Sequence, residues 1–261
     1  MIPLQRTEST SMAILPRPLT HFLKHVFPGF HQRCAVCGAC PAPGDQSWLD
    51  LALPGTCTAC KTLLKPRLGG YCPRCGLLFG LSSEQVSLCL DCRRSPPPWR
   101  EVFFYGCYDG LLKNLILRFK FQSQLGLALI LREMLLFALV SREAPHFDLT
   151  VPIPLHPDKL RARGFNQSLE LANGVAGHAS AAISSRALVR VRETPAQHTL
   201  PRSQRMNNLK GAFLARPDEV QGRSILLVDD ILTTGATART AVKALLQAGA
   251  AEVSLLILAR A

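Results

Sequence analysis

The residues best suited to chemistry lie at positions 225–237, in the run ILLVDDILTTGAT. Two adjacent carboxylates, Asp229 and Asp230, follow an apolar run, and a turn rich in hydroxyl groups comes next. Paired carboxylates bind a diol or a phosphate-bound Mg²⁺, and the N–H groups of a turn that opens a helix bind a phosphate monoester. The pattern favours a sugar-phosphate site over a capped strand–turn–helix without a ligand. The predicted phosphate loop is Thr233, Thr234, Gly235, Ala236 and Thr237.

The elements around this loop are expected to present it at one edge of a sheet. Ile225 to Val228 form a run short enough for a buried parallel strand. The residues after the turn, ATARTAVKALLQA, have a helical pattern. Ligands of open α/β sheets bind at the carboxyl ends of strands, so the acids and hydroxyls would lie where a ligand binds.

Strands and helices alternate from about residue 101 onward. Strands are predicted at VFFYGCY, DLTVPIPL, residues 186–192 and VSLLILA, and helices at LLKNLILRFKF, at QLGLALILREMLLFALV and after residue 167. A polar, basic connection is predicted over 194–213. This alternation predicts an α/β fold with a mostly parallel sheet flanked by helices on both faces.

A second anion-binding element is predicted between the VPIPL strand and the next helix. There a basic loop with Arg161, Arg163 and Gly164 leads into Asn166 and Gln167. A basic loop between a strand and a helix is suited to anions. Asn166 and Gln167 either orient a phosphate or simply begin the helix.

The cysteines have the spacing of metal ligands. Nine of the ten fall between residues 34 and 92. Eight of them form four C-x-x-C pairs, a pattern that predicts two structural zinc ions with four thiolates each. A disulfide scaffold would need a secreted context, for which the N-terminus lacks the signal pattern. We favour sequential pairing over a cross-braced arrangement. The pairs are Cys34/Cys37, Cys57/Cys60, Cys72/Cys75 and Cys89/Cys92.

Charge and composition limit the classes of protein. The chain of 261 residues carries 30 basic and 18 acidic residues, for a net charge of +12. This excess favours anionic partners. The basic segment 186–210 either contacts nucleic acid or polyphosphate or is a solvated face. Apolar residues make up 48% of the chain, which supports a real core. No uncharged apolar run reaches about 18 residues, so we expect no membrane span and a cytoplasmic location.

The proposed boundaries follow the shifts in composition. Residues 1–32 are expected to be a flexible tail, in which Met12 is an alternative start. Residues 33–95 are assigned to a double zinc ribbon, because metal replaces the core that so short a segment cannot build. Residues 96–100 are a proline-rich linker, and 101–261 are the α/β domain.

The ordered set of motifs resembles the ComF family. It comprises four C-x-x-C pairs, a proline-rich joint, RFKF at 118–121, V-P-I-P-L followed by RGFNQ at 163–167, Gln197, R-x-x-N-x-x-x-A-F at 205–213, and VDDILTTGAT. The last run is similar to the phosphoribosyl-pyrophosphate (PRPP) loop of type I phosphoribosyltransferases. The resemblance implies a double zinc ribbon followed by a phosphoribosyltransferase-like domain.

The resemblance also implies ligands and roles. Asp229 and Asp230 would hold the ribose hydroxyls, directly or through Mg²⁺, and the TTGAT loop would hold the 5′-phosphate. The implied role is the handling of single-stranded DNA with uptake proteins in natural transformation. The alternative is an active phosphoribosyltransferase with an unknown acceptor. The candidate pyrophosphate contacts are Lys120, Arg161, Arg163, Arg202 and Arg205.

No catalytic base and no acceptor pocket can be recognised in the sequence. His156 and His198 lie in plausible loops but are expected to be surface histidines. We therefore assign no catalytic residue.

Overall fold

The computed structural model describes residues 33–40, 53, 55–142, 144–175, 181–192 and 211–261. Residues Arg33–Ala261 form one compact unit. The predictions for the 1–32 tail with Met12, for Gln197 and His198, and for Arg202 and Arg205 fall outside the described residues. The domain boundaries and the linker at 96–100 stay predictions.

The described part of the chain contains a five-stranded sheet and a two-stranded ribbon. The sheet has the order β1-β7-β6-β2-β3, and every neighbouring pair is parallel. The ribbon pairs β4 with β5 in antiparallel fashion. The strands are β1 (Val102–Cys107), β2 (Leu149–Pro152), β3 (Ala182–Ile183), β4 (Leu188–Arg190), β5 (Phe213–Ala215), β6 (Ser224–Leu232) and β7 (Glu252–Arg260).

Helices cover both faces of the sheet, as predicted. None of the helices in the described ranges is long and apolar enough to cross a membrane. A 3₁₀ turn over Leu125–Leu127 leads into the fourth helix. The helices are α1 (Thr58–Leu63), α2 (Leu90–Arg94), α3 (Gly110–Phe121), α4 (Ala128–Val140), α5 (Pro157–Arg163), α6 (Gln167–Val175), α7 (Pro217–Val220) and α8 (Ala236–Gln247).

Alternate residues of the central strands supply two separate cores. On β7, Leu256 and Leu258 pack with α3, α4 and α6 in one core. Leu255 and Ile257 pack with α8 and the β4–β5 ribbon in the other. Alternation of this kind follows from the two-residue period of a strand. Because both faces are covered, the strands are continuous apolar runs, and the predicted α/β class is confirmed.

The boundaries of the strand that carries the acids differ from those predicted. The strand is predicted over the apolar run from Ile225 to Val228, but β6 continues to Leu232 because its register with β7 is kept as far as Leu232 and Arg260. The segment predicted as a polar connection over 194–213 ends in β5, since Phe213 pairs with Arg190 of β4.

The predicted basic loop at 161–164 is wrong, because Arg161 and Arg163 lie on the short helix α5. Pro157 occupies the first turn, where its missing N–H costs nothing. The His156 side chain caps that turn by accepting a hydrogen bond from the Asp158 N–H. Gly164 ends the helix with φ 82°, a left-handed conformation favoured for glycine.

The cysteine-rich segment packs directly on the α/β core. Cys34, Val36 and Leu64 belong to the same buried cluster as Phe103 and Tyr105 of β1. Such packing gives this short segment an apolar core that it lacks on its own.

Arg142 after α4 adds polar contacts across the same junction. Its guanidinium donates to the Phe104 carbonyl at 2.6 Å, to the Arg67 carbonyl at 2.9 Å and to the Tyr71 hydroxyl at 2.6 Å. These bonds join the cysteine-rich segment to β1.

Candidate functional site

The loop between β6 and α8 has the geometry of a phosphate-binding turn. Gly235 precedes the first residue of α8 with φ 76° and ψ 9°, a conformation that glycine adopts at little steric cost. The Thr234 hydroxyl accepts a hydrogen bond from the Ala236 N–H at 3.4 Å. Helix α8 is 12 residues long, so its first turn presents N–H groups and the positive end of the helix dipole.

The two acids at the end of β6 differ in their contacts. Asp229 Oδ1 accepts from the Ser168 hydroxyl at 3.0 Å and from the Asp230 N–H at 2.9 Å. The Asp230 carboxylate pairs with Lys120, whose Nζ lies 2.7 Å from Oδ2. The side chain of Asp230 is only 4% exposed and that of Lys120 is 22% exposed. Helices α6 and α3 therefore supply one polar partner to each acid.

Burial and charge shift the ionisation of this group of side chains. Burial, together with the charge of Asp230, raises the pKa of Asp229 to about 7, although Lys120 acts in the opposite direction. Burial opposes the charge on Lys120, but Asp230 and Asp229 outweigh it and raise the pKa of the ammonium. Burial lowers the pKa of Arg163, and the same two carboxylates oppose that shift. The acids and cations thus act as one coupled set.

These side chains line a cleft of about 870 Å³ at the carboxyl ends of β2 and β6. Clefts of roughly 300–1,000 Å³ are usual for small ligands. The cleft brings Asp229 and Asp230 together with Thr233 and Thr237 of the predicted phosphate loop. The remaining lining includes both cationic and apolar side chains. These are Tyr108, Leu117, Lys120, Phe121, Ser123, Ile153, Leu155, Lys159, Ala162, Arg163, Gln167, Arg190 and Ile231.

Of the predicted pyrophosphate contacts that the structure describes, two line the cleft and one does not. Lys120 and Arg163 line the cleft. Arg161 is 75% exposed and forms an ion pair with Asp158 on its own helix. Two residues apart on a helix, the side chains of Arg161 and Arg163 point in different directions, so of the two only Arg163 lines the cleft with the acids.

Asn166 and Gln167 have separate roles. Asn166 Oδ1 accepts from the Ser168 N–H at 3.0 Å, and its amide donates to the Ile153 carbonyl at 3.1 Å. Asn166 therefore caps the start of α6, in line with the second alternative. Gln167 accepts a hydrogen bond from the Arg163 guanidinium and lines the cleft. It holds the arginine against the site.

Several cleft residues were missed by the sequence analysis. Phe121 is 65% exposed at the end of α3, and the Arg163 guanidinium lies 5.4 Å from its ring centre. Tyr108, Lys159 and Arg190 also line the cleft. The exposed aromatic end of the RFKF run is the one signal that could have been noticed, since the others depend on tertiary placement.

The cysteines form two four-thiol clusters in the predicted sequential pairing. One contains Cys34, Cys37, Cys57 and Cys60, and the other contains Cys72, Cys75, Cys89 and Cys92. Within each cluster the four sulfur atoms lie within 4.8 Å of one another. The cross-braced alternative is therefore excluded. Of the two remaining cysteines, Cys40 is exposed and Cys107 is half-buried.

The sulfur geometry fits a tetrahedral metal site. Four thiolates at about 2.3 Å from a zinc ion lie about 3.8 Å apart. Cys37 Sγ and Cys57 Sγ are separated by 3.8 Å, and Cys75 Sγ and Cys89 Sγ by 3.7 Å. In the first cluster the Cys57 N–H also donates to Cys34 Sγ at 3.3 Å, as suits a thiolate. Both donor sets therefore suit zinc, which would supply the cross-link that fixes each pair of turns.

Comparison with known proteins agrees with this architecture. The phosphoribosyl transferase domain model matches residues 168–261. The DNA utilization protein YhgH of Salmonella typhi is 36% identical over 230 residues, which cover 86% of this chain and 96% of that protein. The chain belongs to the ComF family.

More distant members and a solved structure extend the comparison. YhgH of Escherichia coli K12 is 33% identical over the same coverage. Competence protein F of Haemophilus influenzae is 29% identical, over 89% of this chain and 98% of that protein. Among solved structures, glutamine PRPP amidotransferase from B. subtilis is 23% identical with a TM-score of 0.33, over 48% of this chain and 25% of that one. The ComF assignment rests on the curated relatives.

Proposed function

We propose that this ComF-family protein binds PRPP with the help of Mg²⁺ and takes part in handling single-stranded DNA. The observation that carries the PRPP part is the cleft. It is lined by the two carboxylates, by Thr233 and Thr237 of the TTGAT loop, and by Lys120 and Arg163. A sugar that carries a phosphate monoester and a pyrophosphate matches that set of groups.

Each group of PRPP has a partner of suitable chemistry. Asp229 and Asp230 would hold the ribose hydroxyls, while the loop 233–237 would hold the 5′-phosphate through its N–H and hydroxyl groups. Lys120 and Arg163 would neutralise the pyrophosphate. Mg²⁺ prefers carboxylate and phosphate oxygens, so the two acids suit it, and the bound ion would offset the charge of the pyrophosphate.

The DNA part is supported by charge and by the relatives. The net charge of +12 favours a polyanion, and two relatives carry the names DNA utilization protein and competence protein. Lys159 and Arg190 line the same cleft as the exposed ring of Phe121, and the Arg163 guanidinium lies 5.4 Å from the centre of that ring. Cations beside an aromatic ring suit the phosphates and bases of a single strand.

The second candidate function is transfer of the phosphoribosyl group to an acceptor. The rings of Tyr108 and Phe121 line the same cleft as the acids, where the flat face of a nucleobase could stack. Transfer would break the bond between C1 and pyrophosphate, and Lys120 and Arg163 would stabilise the departing charge.

Calorimetry with PRPP, with and without Mg²⁺, tests the site. The double variant Asp229→Ala/Asp230→Ala should lose binding, because both diol acceptors are gone. Asp218→Ala is the matched control, since Asp218 is an exposed acid on α7 paired with Arg216. Undiminished binding in the double variant would overturn the site assignment.

Turnover and DNA binding are measured separately. Pyrophosphate release from PRPP with a nucleobase panel or an oligonucleotide would establish the transferase.

Binding of a single strand of DNA should weaken by orders of magnitude as salt is raised from about 50 to 200 mM. Arg202→Ala and Arg205→Ala should reduce that salt dependence. If they leave it unchanged, the segment 186–210 is a solvated face.

A further inference from the structure

The second cysteine cluster is joined to the phosphate loop by Arg260, the last residue of β7. Arg260 Nε donates to the Cys75 carbonyl at 3.1 Å. Its Nη1 donates to the Leu232 carbonyl at 3.0 Å and to the Thr233 carbonyl at 2.8 Å. One guanidinium therefore ties a cysteine of the cluster to the residues that begin the phosphate loop.

Trp99 makes a second connection between the same two places. Its indole N–H donates to the Arg74 carbonyl at 2.6 Å. The ring is 2% exposed, and its Cη2 lies 3.2 Å from the point that a Cβ on Gly235 would occupy. The guanidinium of Arg239, on α8, lies 5.5 Å from the ring centre. The indole thus fills the space between the cluster and the loop.

Both connections end on consecutive carbonyls of one metal-binding turn. Arg74 and Cys75 lie in the turn that begins at Cys72, where the Gly76 N–H donates to the Cys72 carbonyl at 2.8 Å. The stem of Arg260 packs on this turn, since its Cδ lies 3.1 Å from the position of a Cβ on Gly76. A metal ion bound by Cys72 and Cys75 would fix the direction of these carbonyls.

The first cluster has a different attachment. Arg118 of α3 donates to the Val36 carbonyl at 3.1 Å, and the Tyr105 hydroxyl donates to the Leu64 carbonyl. These two hydrogen bonds, among the described contacts of Val36 and Leu64, lead to α3 and β1. Neither of them leads to the loop 233–237. The two clusters therefore form a natural pair for comparison.

We propose that Arg260 and Trp99 are positioning residues that fasten the phosphate loop to the second cysteine cluster, so that sugar-phosphate binding depends on the metal in that cluster. This inference rests on the proposed function, since it assigns the loop a phosphate. A metal ion in the second cluster would fix the Arg74 and Cys75 carbonyls. These carbonyls accept the hydrogen bonds of Trp99 and Arg260, and the two side chains keep the loop in its binding conformation.

The first arm of the test changes the link without touching the cysteines. Arg260→Met keeps the aliphatic stem but loses the donors. It should weaken PRPP binding about tenfold or more, and accelerate amide hydrogen exchange of residues 233–238, while the zinc content is unchanged. Arg260→Lys should recover part of the affinity. Arg100→Met is the matched control, because Arg100 pairs with Glu252 at the opposite end of β7.

The second arm changes one cluster at a time. Cys72→Ser/Cys75→Ser and Cys34→Ser/Cys37→Ser should each remove one equivalent of zinc. At a temperature where both variants remain folded, only Cys72→Ser/Cys75→Ser should speed exchange in the loop and weaken binding of ribose 5-phosphate, a probe without the pyrophosphate. Trp99→Phe should act in the same direction as Arg260→Met, because it keeps a ring but loses the N–H donor.

The outcomes separate this inference from the proposed function. Wild-type affinity and exchange in Arg260→Met would overturn the coupling, and so would equal effects of the two cysteine variants on the loop. If the unaltered protein fails to bind PRPP, the proposed function is wrong, and the exchange data still decide whether the cluster positions the loop.

Discussion

Lys120 Nζ lies 2.7 Å from Asp230 Oδ2, and this ion pair lies in the cleft where we propose that a ribose diol binds. The carboxylate is almost fully buried, whereas the ammonium keeps some contact with solvent. Lys120 also lines the cleft beside Arg163. A ligand that takes the carboxylate would therefore release the ammonium toward its pyrophosphate, so that one side chain serves both the empty and the filled site.

Replacing Lys120 by Met should destabilise the fold by roughly 2–4 kcal/mol, because a buried carboxylate loses its partner. Urea unfolding measures the loss. Lys120→Met/Asp230→Asn should recover much of it, since the unpaired charge is then removed as well. Additive losses in this double-mutant cycle would show that the ion pair does not couple the two residues.

PRPP affinity should rise with pH between about 6 and 8. The pKa of Asp229 is raised to about 7 by burial and by Asp230, and the ionised carboxylate is the better acceptor for a diol. Its ionised fraction grows about tenfold over this range if the pKa is near 7. The charged groups that face Asp229 are Asp230, Lys120 and Arg163, and the two cations stay charged over the range.

The raised pKa of Asp229 also affects the free energy of unfolding, which should fall with rising pH, whereas PRPP affinity should rise. A carboxyl with a raised pKa in the folded state stabilises the fold fully below its unfolded value of 3.8, and this contribution is lost as the pH rises through about 7. Asp229→Asn should flatten both profiles. The ligand phosphate titrates near pH 6 with either protein. The difference between the pH profiles of the variant and the unaltered protein therefore reports on Asp229 alone. Parallel profiles would contradict the assignment.

The local parts of the site were predictable from the sequence, because they depend on neighbouring residues. The apolar run before Asp229, the hydroxyl-rich turn and the helix after Gly235 all specify their structure within about 20 residues of chain. The C-x-x-C pairs likewise specify turns with both thiols on one side. Their sequential pairing was favoured and is confirmed.

The tertiary parts of the site could not be read in this way. Lys120 and Asp230 lie 110 positions apart in the numbering, and only the parallel order β1-β7-β6 brings their elements together. A loop would leave Arg161 and Arg163 equivalent. They differ because Pro157 and Gly164 bound a helix, on which the two side chains point in different directions. The placement of Trp99 between the cluster and Gly235 has no local signal at all.

Gly235→Ala should abolish sugar-phosphate binding and lower the free energy of unfolding by about 1–2 kcal/mol, since L-residues disfavour the left-handed conformation. The added Cβ would also lie 3.2 Å from Trp99 Cη2, and the loop would have to shift. Calorimetry and urea unfolding measure the two effects. Gly222→Ala is the control, because φ at Gly222 is 70° with nothing within 4 Å of an added Cβ. Gly222→Ala should lower the free energy of unfolding through the disfavoured backbone conformation alone, and its PRPP affinity should stay unchanged.

The intact chain should contain about two zinc ions, and their removal should destabilise the α/β domain as well as the cysteine-rich segment. The physical reason is the shared core, in which Cys34 and Cys60 are buried together with Tyr105 of β1. Without metal, the thiols of each cluster lose the cross-link that holds their turns. Elemental analysis gives the stoichiometry.

Thermal unfolding followed by the near-UV circular dichroism of the aromatic residues, among them the buried Phe103 and Tyr105 of β1, gives the effect on the α/β domain. Treatment with a strong chelator should lower the transition temperature of the aromatic signal, and added zinc should restore it. Magnesium at the same concentration is the control, because it prefers oxygen ligands to thiolates. A metal content near one ion per chain, or an aromatic transition unchanged by complete metal removal, would show that the clusters do not support the core on which β1 lies.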